Sequence, residues 1–522
     1  MMCSFSAPAP PSRAISPMKI LVLSLILALI PGTHPGALAK PSHPNIVLVY
    51  TDDQGYGDAS CLNPRAKFKT PHQDRLAREG MTFTDAHCSD TVCTPSRYGL
   101  LTGRYSWRTS LKRGVFGAEH PCLIKEGRTT LASFLQENGY QTAMVGKWHL
   151  GMEFPGTIGQ RDWSLPVRDM PLDKGFDYFW GIPASMNYGI LAWFEGRFAK
   201  VPPSQWTRKK PNRIALSDYR IAPPYLKEQA EGLMEVAPDF VDSACLTRFT
   251  DQALKWVTSV AGDARSGRPF FLYLPLTSPH KPVIPLEQFR GQGKAGAYGE
   301  FMIETDWHLG RLLDLLDREQ LTRDTIVIYT SDNGPENTWK ERIRKFNHHS
   351  SGPYRGGKRS IYEGGHRVPF FFRWPARVKP GSRWTEPICQ TDLLSTFASI
   401  LGKPLPGGSG EDSISFHSAW IENAGSLSSR PPVIHHSANG RFAIRKGRWK
   451  MVMESTRKAE KRELYDLQID PGENHNILTT HPDVEKRLLH QLIQIVTSGS
   501  TREMPNAGND TPPWADLVWL PR

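Results

Sequence analysis

The plainest regularity along the chain is a series of short, uninterrupted apolar runs, each closed by a polar cluster. Asn45-Ile46-Val47-Leu48-Val49-Tyr50 runs into Thr51-Asp52-Asp53-Gln54-Gly55, and Gln141 to Val145 runs into Gly146-Lys147-Trp148-His149. Pro269 to Leu276 leads to Thr277-Ser278-Pro279-His280, and Asp324 to Thr330 leads to Ser331-Asp332-Asn333-Gly334. Continuous runs of β-branched and aromatic residues predict strands buried on both faces of a parallel sheet. Met81 to Ala86 and Phe370 to Trp374 add further strands. Helical spacing and end signals predict helices over 70–80, Leu131–Asn138, Phe240–Val260, Phe301–Glu319 and Asp392–Leu401. This alternation predicts an α/β fold, a large mostly parallel mixed sheet sandwiched by helices. Its polar clusters fall at the carboxyl ends of strands, where open α/β sheets gather ligands.

The pattern changes in three places. Residues 152–238 are rich in proline, glycine, tryptophan and arginine with little periodicity, and are expected to lie as insertions over the sheet face, where specificity would reside. Trp163, Trp180, Trp193 and Trp206 in that stretch are of the type that stacks on sugar rings, although loop tryptophans more often pack. After about residue 430 the alternation fades. A hairpin over Arg441–Met453 with Lys446-Gly447 at its turn, a strand Glu463–Leu467 and a helix Pro482–Thr497 predict a small α+β subdomain with an antiparallel sheet. The expected division is residues 40–430 and 431–522. At the other end, Lys19, the run Ile20–Ile30 and Ala37-Leu38-Ala39 predict a secretory signal peptide within residues 1–39, with Met18 an alternative start. The run is too short for a stable membrane anchor, so the protein is expected to be exported, periplasmic or secreted.

Composition narrows the partners. The 522 residues carry a formal charge of +12, which favours polyanions such as sulfated glycans or nucleic acid. No zinc-finger spacing or RNA-binding aromatic motif supports nucleic acid. Beyond Cys3 there are six cysteines; setting Cys93 aside leaves five, which permits one or two disulfides but no disulfide scaffold.

Cys93-Thr94-Pro95-Ser96-Arg97, followed by Tyr98-Gly99-Leu100-Leu101-Thr102-Gly103-Arg104, places a cysteine before a proline turn and a helix-like run. A helix N-terminus suits an anion, while a small buried cysteine is the commoner use of such a position. Asp52-Asp53 reads equally as a hard-cation ligand pair or as a turn, and Lys147 and His149 as surface residues or as anion and proton-transfer groups. Taken together, the Cys93 segment, Gly357-Lys358-Arg359-Ser360-Ile361-Tyr362-Glu363-Gly364-Gly365 and the late segments Glu363–Pro375, Ala443–Lys450 and Glu463–Asn476 resemble the type I sulfatases of the alkaline phosphatase superfamily, over residues 44–480.

The resemblance implies an alkaline phosphatase-like fold and hydrolysis of a sulfate ester, an aryl sulfate or the sulfate of an exo-processed glycan fragment. It implies that a maturation enzyme oxidises Cys93 to formylglycine, whose hydrate attacks sulfur and whose second hydroxyl later expels sulfate. Asp52, Asp53, Asp332 and Asn333 match the ligands of one calcium ion. Arg97 and Lys147 match residues that hold the aldehyde hydrate and the sulfate oxygens, His149 the base, and His280 and Lys358 the pair that contact sulfate and the bridging oxygen. Asp177, Glu363 and Arg367 read as structural or substrate-contacting, with structure favoured. Two other readings stay open. One is a formylglycine-dependent phosphate or phosphonate ester hydrolase; the other is a non-catalytic glycan-binding relative.

Overall fold

In the computed structural model the strand Asn45–Asp52 is fully buried and lies between two parallel partners, Phe270–Pro279 and Thr325–Ser331. The structure describes residues 43–208, 221–421, 430–455, 459–505, 507–513 and 516–520, so the expected signal peptide lies outside the described residues. Ten strands form the main sheet; by first residue their order is 382, 81, 370, 325, 45, 270, 141, 178, 194, 198. The five strands from 325 to 178 run parallel, and Phe370–Arg373 pairs antiparallel with Thr325–Ser331. The expected mixed, mostly parallel sheet is therefore present. Helices Cys245–Arg265 and Gly296–Arg318 pack on it through Leu246, Phe249, Val257 and Leu309, Leu312, Leu316.

Two helices begin elsewhere than their spacing predicts. Phe240 is not helical: it packs on the Trp193 indole with ring centroids 4.8 Å apart, while Asp242 accepts the amide of Ile221 at 2.5 Å, and the helix starts at Cys245. The second helix begins at Gly296, where two glycines in the first turn had obscured the pattern.

The stretch 152–238 contains a strand, Tyr178–Ile182, that extends the parallel sheet beside Gln141–Lys147. Gly181 allows it to approach closely, since a Cβ there would sit 1.9 Å from the Gly146 carbonyl oxygen. The tryptophans of this stretch are packing residues. Trp180 and Trp193 are stacked 5.3 Å apart in the core, Trp206 is buried, and Trp163 is packed against the same core. Of the two uses the sequence leaves open for them, packing is the one found: large apolar rings in a segment with few aliphatic residues supply its core.

Past residue 430 a four-stranded antiparallel sheet forms from Val433–His436, Phe442–Lys446, Trp449–Ser455 and Glu460–Asp466. Lys446 pairs with Trp449, so the hairpin turn is Gly447-Arg448, one residue beyond the expected turn, with Gly447 at φ 56°. Helix Pro482–Ser498 lays Leu488, Leu492 and Val496 on this sheet, and the same apolar cluster takes in Tyr105, Trp107 and Cys389. Arg108 fixes the junction: it pairs with both carboxylate oxygens of Asp412 and donates to the Ile495 carbonyl at 3.1 Å. No disulfide joins cysteines among the described residues. No helix among the described residues is long and apolar enough to cross a membrane.

Trp193→Ala is expected to cost about 3–5 kcal/mol in urea unfolding, the loss of a fully buried indole. Unchanged stability would contradict the packing role.

Candidate active site

Sheet register brings the polar clusters together. Thr51 pairs with Ser331 and Asp52 with Pro279, so Asp52-Asp53, His280 and Asp332-Asn333 leave three adjacent strands at one edge. The next strand delivers Lys147 at its last residue. Cys93 opens the ten-residue helix Cys93–Thr102, every residue of which is buried. Gly103 in the left-handed region closes this helix, donating to Gly99 O. All ten residues expected at the site lie here, none more than 4% exposed.

The cysteine sulfur is 3.4 Å from Asp52 Oδ1 and 3.6 Å from Lys358 Nζ. Lys147 Nζ bonds Asp52 Oδ2, and Lys358 Nζ bonds Asp53 Oδ1 at 2.5 Å. Arg97 donates to Asp332 Oδ2 at 2.9 Å and to the Lys147 carbonyl at 3.0 Å. Three carboxylates therefore meet three cations without water between them. Burial opposes the charge on Asp52, but Lys147, His280 and Arg97 outweigh it and hold that carboxyl well below the usual range. Burial and then the Asp52 charge push Asp332 upward. Desolvation and the same two carboxylates push the Cys93 thiol up, so the encoded side chain is a protonated thiol, a weak nucleophile and a weak metal ligand.

The two histidines have defined roles in hydrogen bonding. His149 Nε2 lies 2.9 Å from the Phe116 carbonyl, which only accepts, so Nε2 carries the proton and the buried Nδ1, which has no partner, is the basic nitrogen. Burial, with Lys147 and Arg97 nearby, keeps this ring neutral. His280 Nδ1 donates to the Lys281 carbonyl at 2.6 Å, leaving Nε2 facing Asp53 Oδ2 at 3.8 Å. Burial lowers His280 to about 4. Asp53 and His149 both hold left-handed backbone conformations, φ 70° and 63°, which non-glycine residues rarely adopt and which aim their side chains inward.

The oxygen donors fit a hard cation. Asn333 Nδ2 donates to Asp53 Oδ1 at 2.7 Å and to the Gly334 carbonyl at 2.9 Å, turning Asn333 Oδ1 the other way. That oxygen and Asp53 Oδ2 are buried with no hydrogen-bond partner, and acceptors left so expect a cation.

A second cluster, His87, Glu363, His366 and His435, also groups donor atoms within 4.8 Å. His366 and His435 are stacked face to face, 3.8 Å apart and 11° from parallel, so no point lies near the plane of both rings as a shared metal ion must. Lys450 Nζ sits there instead, 3.0 Å from Glu363 and 2.8 Å from Glu473. Glu363 and Arg367, 3.1 Å apart, belong to this internal network. Asp177 accepts from Thr142 N at 2.9 Å and is likewise structural.

Sequence reasoning missed Glu336, Ser185 and Tyr188. Glu336 lies 4.0 Å from Lys358 and from Lys281 and pairs with Arg359. Ser185 Oγ is 3.3 Å from His280 Nδ1, and the Tyr188 ring is 5.4 Å from His149. Glu336 follows the polar cluster at 331–334 and was open to detection by position; the other two sit in an aperiodic stretch without a pattern.

The family model named Sulfatase matches residues 44–403. The chain belongs to the sulfatase family. An N-acetylgalactosamine-6-O-sulfatase of Bacteroides thetaiotaomicron is 32% identical over 492 residues, covering 87% of this chain and 93% of that protein. Human arylsulfatase A is 30% identical over 515 residues, covering 90% of each. A solved structure from work on glycosaminoglycan metabolism by Bacteroides thetaiotaomicron superposes with TM-score 0.74 at 31% identity, covering 87% of this chain and 99% of that one. This sulfatase is a sulfuric ester hydrolase of alkaline phosphatase-like fold.

In protein carrying the encoded cysteine, Cys93 should alkylate with iodoacetamide at pH 8 at least about tenfold more slowly in the folded state than in urea, followed by peptide mass spectrometry. Equal rates would contradict the buried, protonated thiol.

Proposed function

We propose that the enzyme removes sulfate from a sulfated glycan fragment, acting on an exposed terminal residue, and that Cys93 acts as formylglycine with one calcium ion alongside. The observation that carries this reading is the convergence of five chain segments on Cys93, whose sulfur lies within 3.6 Å of both a carboxylate (Asp52) and a lysine paired with Asp53 (Lys358) in a chain of the sulfatase family. The thiol itself is held in its unreactive form, which suits a residue that is modified before use. Formylglycine would supply a hydrate oxygen as nucleophile, and calcium, held by Asp52, Asp53, Asp332 and Asn333, would offset charge on the sulfate.

The chain's own residues then divide the work. Arg97, Lys147 and Lys358 surround the Cys93 position with positive charge and orient an anion there. His149, fixed by the Phe116 carbonyl, holds Nδ1 free as the base that would help release sulfate from the Cys93 position. His280, with Nδ1 anchored on Lys281 O, turns its unprotonated Nε2 toward the bridging oxygen, and Lys358, the protonated member of the pair, supplies the proton for the departing alcohol. The helix N-terminus at Cys93 adds favourable potential for the anion. A glycan substrate is supported by the relative named as an N-acetylgalactosamine-6-O-sulfatase. Export through the leader and maturation by a formylglycine-generating enzyme complete the proposal.

Co-expression with that enzyme should convert Cys93 to formylglycine, read by mass spectrometry of its peptide. Cys93→Ala should lower kcat by roughly 10⁴-fold or more while retaining calcium binding by calorimetry. Near-normal turnover would overturn the mechanism, and higher kcat/KM on a matched phosphate ester would favour the phosphoesterase reading. Chelation of calcium should abolish turnover and lower Tm, with recovery on adding calcium back. An unaltered Tm and activity would remove the metal from the scheme.

A further inference from the structure

Beside the catalytic cluster, across the glycine loop, lies a short basic helix, Trp339–Phe346. It is joined to the site at two points. Glu336, whose carbonyl accepts the Trp339 amide at 2.9 Å, lies 4.0 Å from Lys358 Nζ and grips Arg359 through both guanidinium nitrogens, at 2.5 and 3.0 Å. Gly357 packs directly on the indole, since a Cβ there would lie 2.4 Å from Trp339 Nε1. The next residue is Lys358, 3.6 Å from the Cys93 sulfur. From the reacting position to Trp339 the path crosses one lysine and one glycine.

Behind that glycine is a cavity of about 290 Å³, lined among others by Trp339, Ile343, His349, Tyr354, Arg355 and Asn474. Its size suits one sugar ring, and its lining joins aromatic faces to polar groups. Cations flank it. Arg344 is 75% exposed and Lys345 49%, Lys340 and Arg355 are exposed, and Arg359 stands at the catalytic end with its backbone at φ 74°. Along this path they outnumber Glu336 and Glu341, and Glu341 is already paired with Lys345 at 2.6 Å. A ring-sized aromatic pocket inside a positive field complements a sugar that carries negative charge.

We propose that this strip is a binding site for the continuing chain of an anionic oligosaccharide. The terminal sulfated residue occupies the Cys93 site, and the following sugars pass Arg359 and Gly356 to the Trp339 cavity. Resting on the sulfatase reading, the inference narrows the substrate to an oligosaccharide bearing further sulfate or carboxylate groups. It assigns Trp339, Lys340 and Arg344 to specificity, none of them to the reaction.

The test uses matured full-length enzyme, a sulfated tetrasaccharide and 4-methylumbelliferyl sulfate. In Lys340→Glu/Arg344→Glu, and separately in Trp339→Ala, kcat/KM on the tetrasaccharide should fall about tenfold through KM, while the value on the small sulfate stays within about twofold. The charge-reversed variant should also lose most of the salt dependence of the tetrasaccharide KM. Equal losses on both substrates, or no loss on either, would overturn the proposal. If the wild type desulfates neither, the sulfatase reading fails by itself. Calorimetric binding of the tetrasaccharide, weakened in the charge-reversed variant, would still support the strip, and unchanged binding would refute it.

Discussion

The structure turns on charge compensation among fully buried groups. Asp52, Asp53 and Asp332 are buried beside Arg97, Lys147 and Lys358, and each pair is in direct contact. A buried ion without a partner costs several kcal/mol, so none of the six is tolerable alone. They arrive from distant parts of the chain: the register of the parallel strands brings Asp52, Asp53, Lys147 and Asp332 together, and the Cys93 helix and the glycine loop add Arg97 and Lys358. Such a cluster is a poor route to stability, because well-packed apolar residues of the same volume usually do as well or better. Its position at the carboxyl edge of the sheet, where ligands gather, is in keeping with the cation and anion proposed for it.

The antiparallel sheet after residue 430 does more than extend the molecule. His436 Nδ1 bonds Asp90 at 2.6 Å, and Asp90 also receives the amide of Thr91 and, through its carbonyl, the hydroxyl of Ser96. The Ala438 amide reaches Thr91 Oγ1, and Arg445 reaches Asp85. The segment that enters the Cys93 helix is thus clamped from the second sheet. On the other side of the same interface Lys450 holds Glu363, which opens the short helix after the glycine loop. The cysteine and Lys358 are positioned from one support, which explains how two residues 265 apart in sequence keep their atoms within 3.6 Å. Rigid supports of this kind are what an active site needs to hold its geometry.

The fold was legible where the physics is local. A strand buried on both faces requires an unbroken apolar run, so residues 45–50, 270–276 and 325–330 announced themselves, together with the polar groups at their ends. Of the expected site residues, Asp52, Asp53, Lys147, His149, His280, Asp332 and Asn333 were found in this way, whereas Cys93, Arg97 and Lys358 were legible only through their motifs. The reading failed where tertiary packing decides. Tyr178–Ile182 carries a glycine that a propensity argument discounts, yet the glycine is what lets the strand approach Gly146. The insertion tryptophans could not be told from sugar platforms, because an indole is equally suited to either and only the neighbours, Phe240 and Phe249 for Trp193, decide. Ser185, Tyr188 and the His436 clamp depend on contacts between distant segments, which no local pattern encodes.

The same balance of charge links the two ligands of the proposed mechanism. The three carboxylates and three cations cancel, so the protein by itself offers a sulfate ester little net attraction beyond the helix N-terminus at Cys93. A divalent cation on the carboxylates changes that sum, and the lysines then face the anion with less competition from Asp52 and Asp53. Substrate and calcium are therefore expected to bind with positive coupling, each raising the affinity for the other by the same factor, as linkage requires. The neutral thiol fits this scheme and so does a neutral aldehyde hydrate, whereas a thiolate at position 93 would add a negative charge where the sulfate must sit.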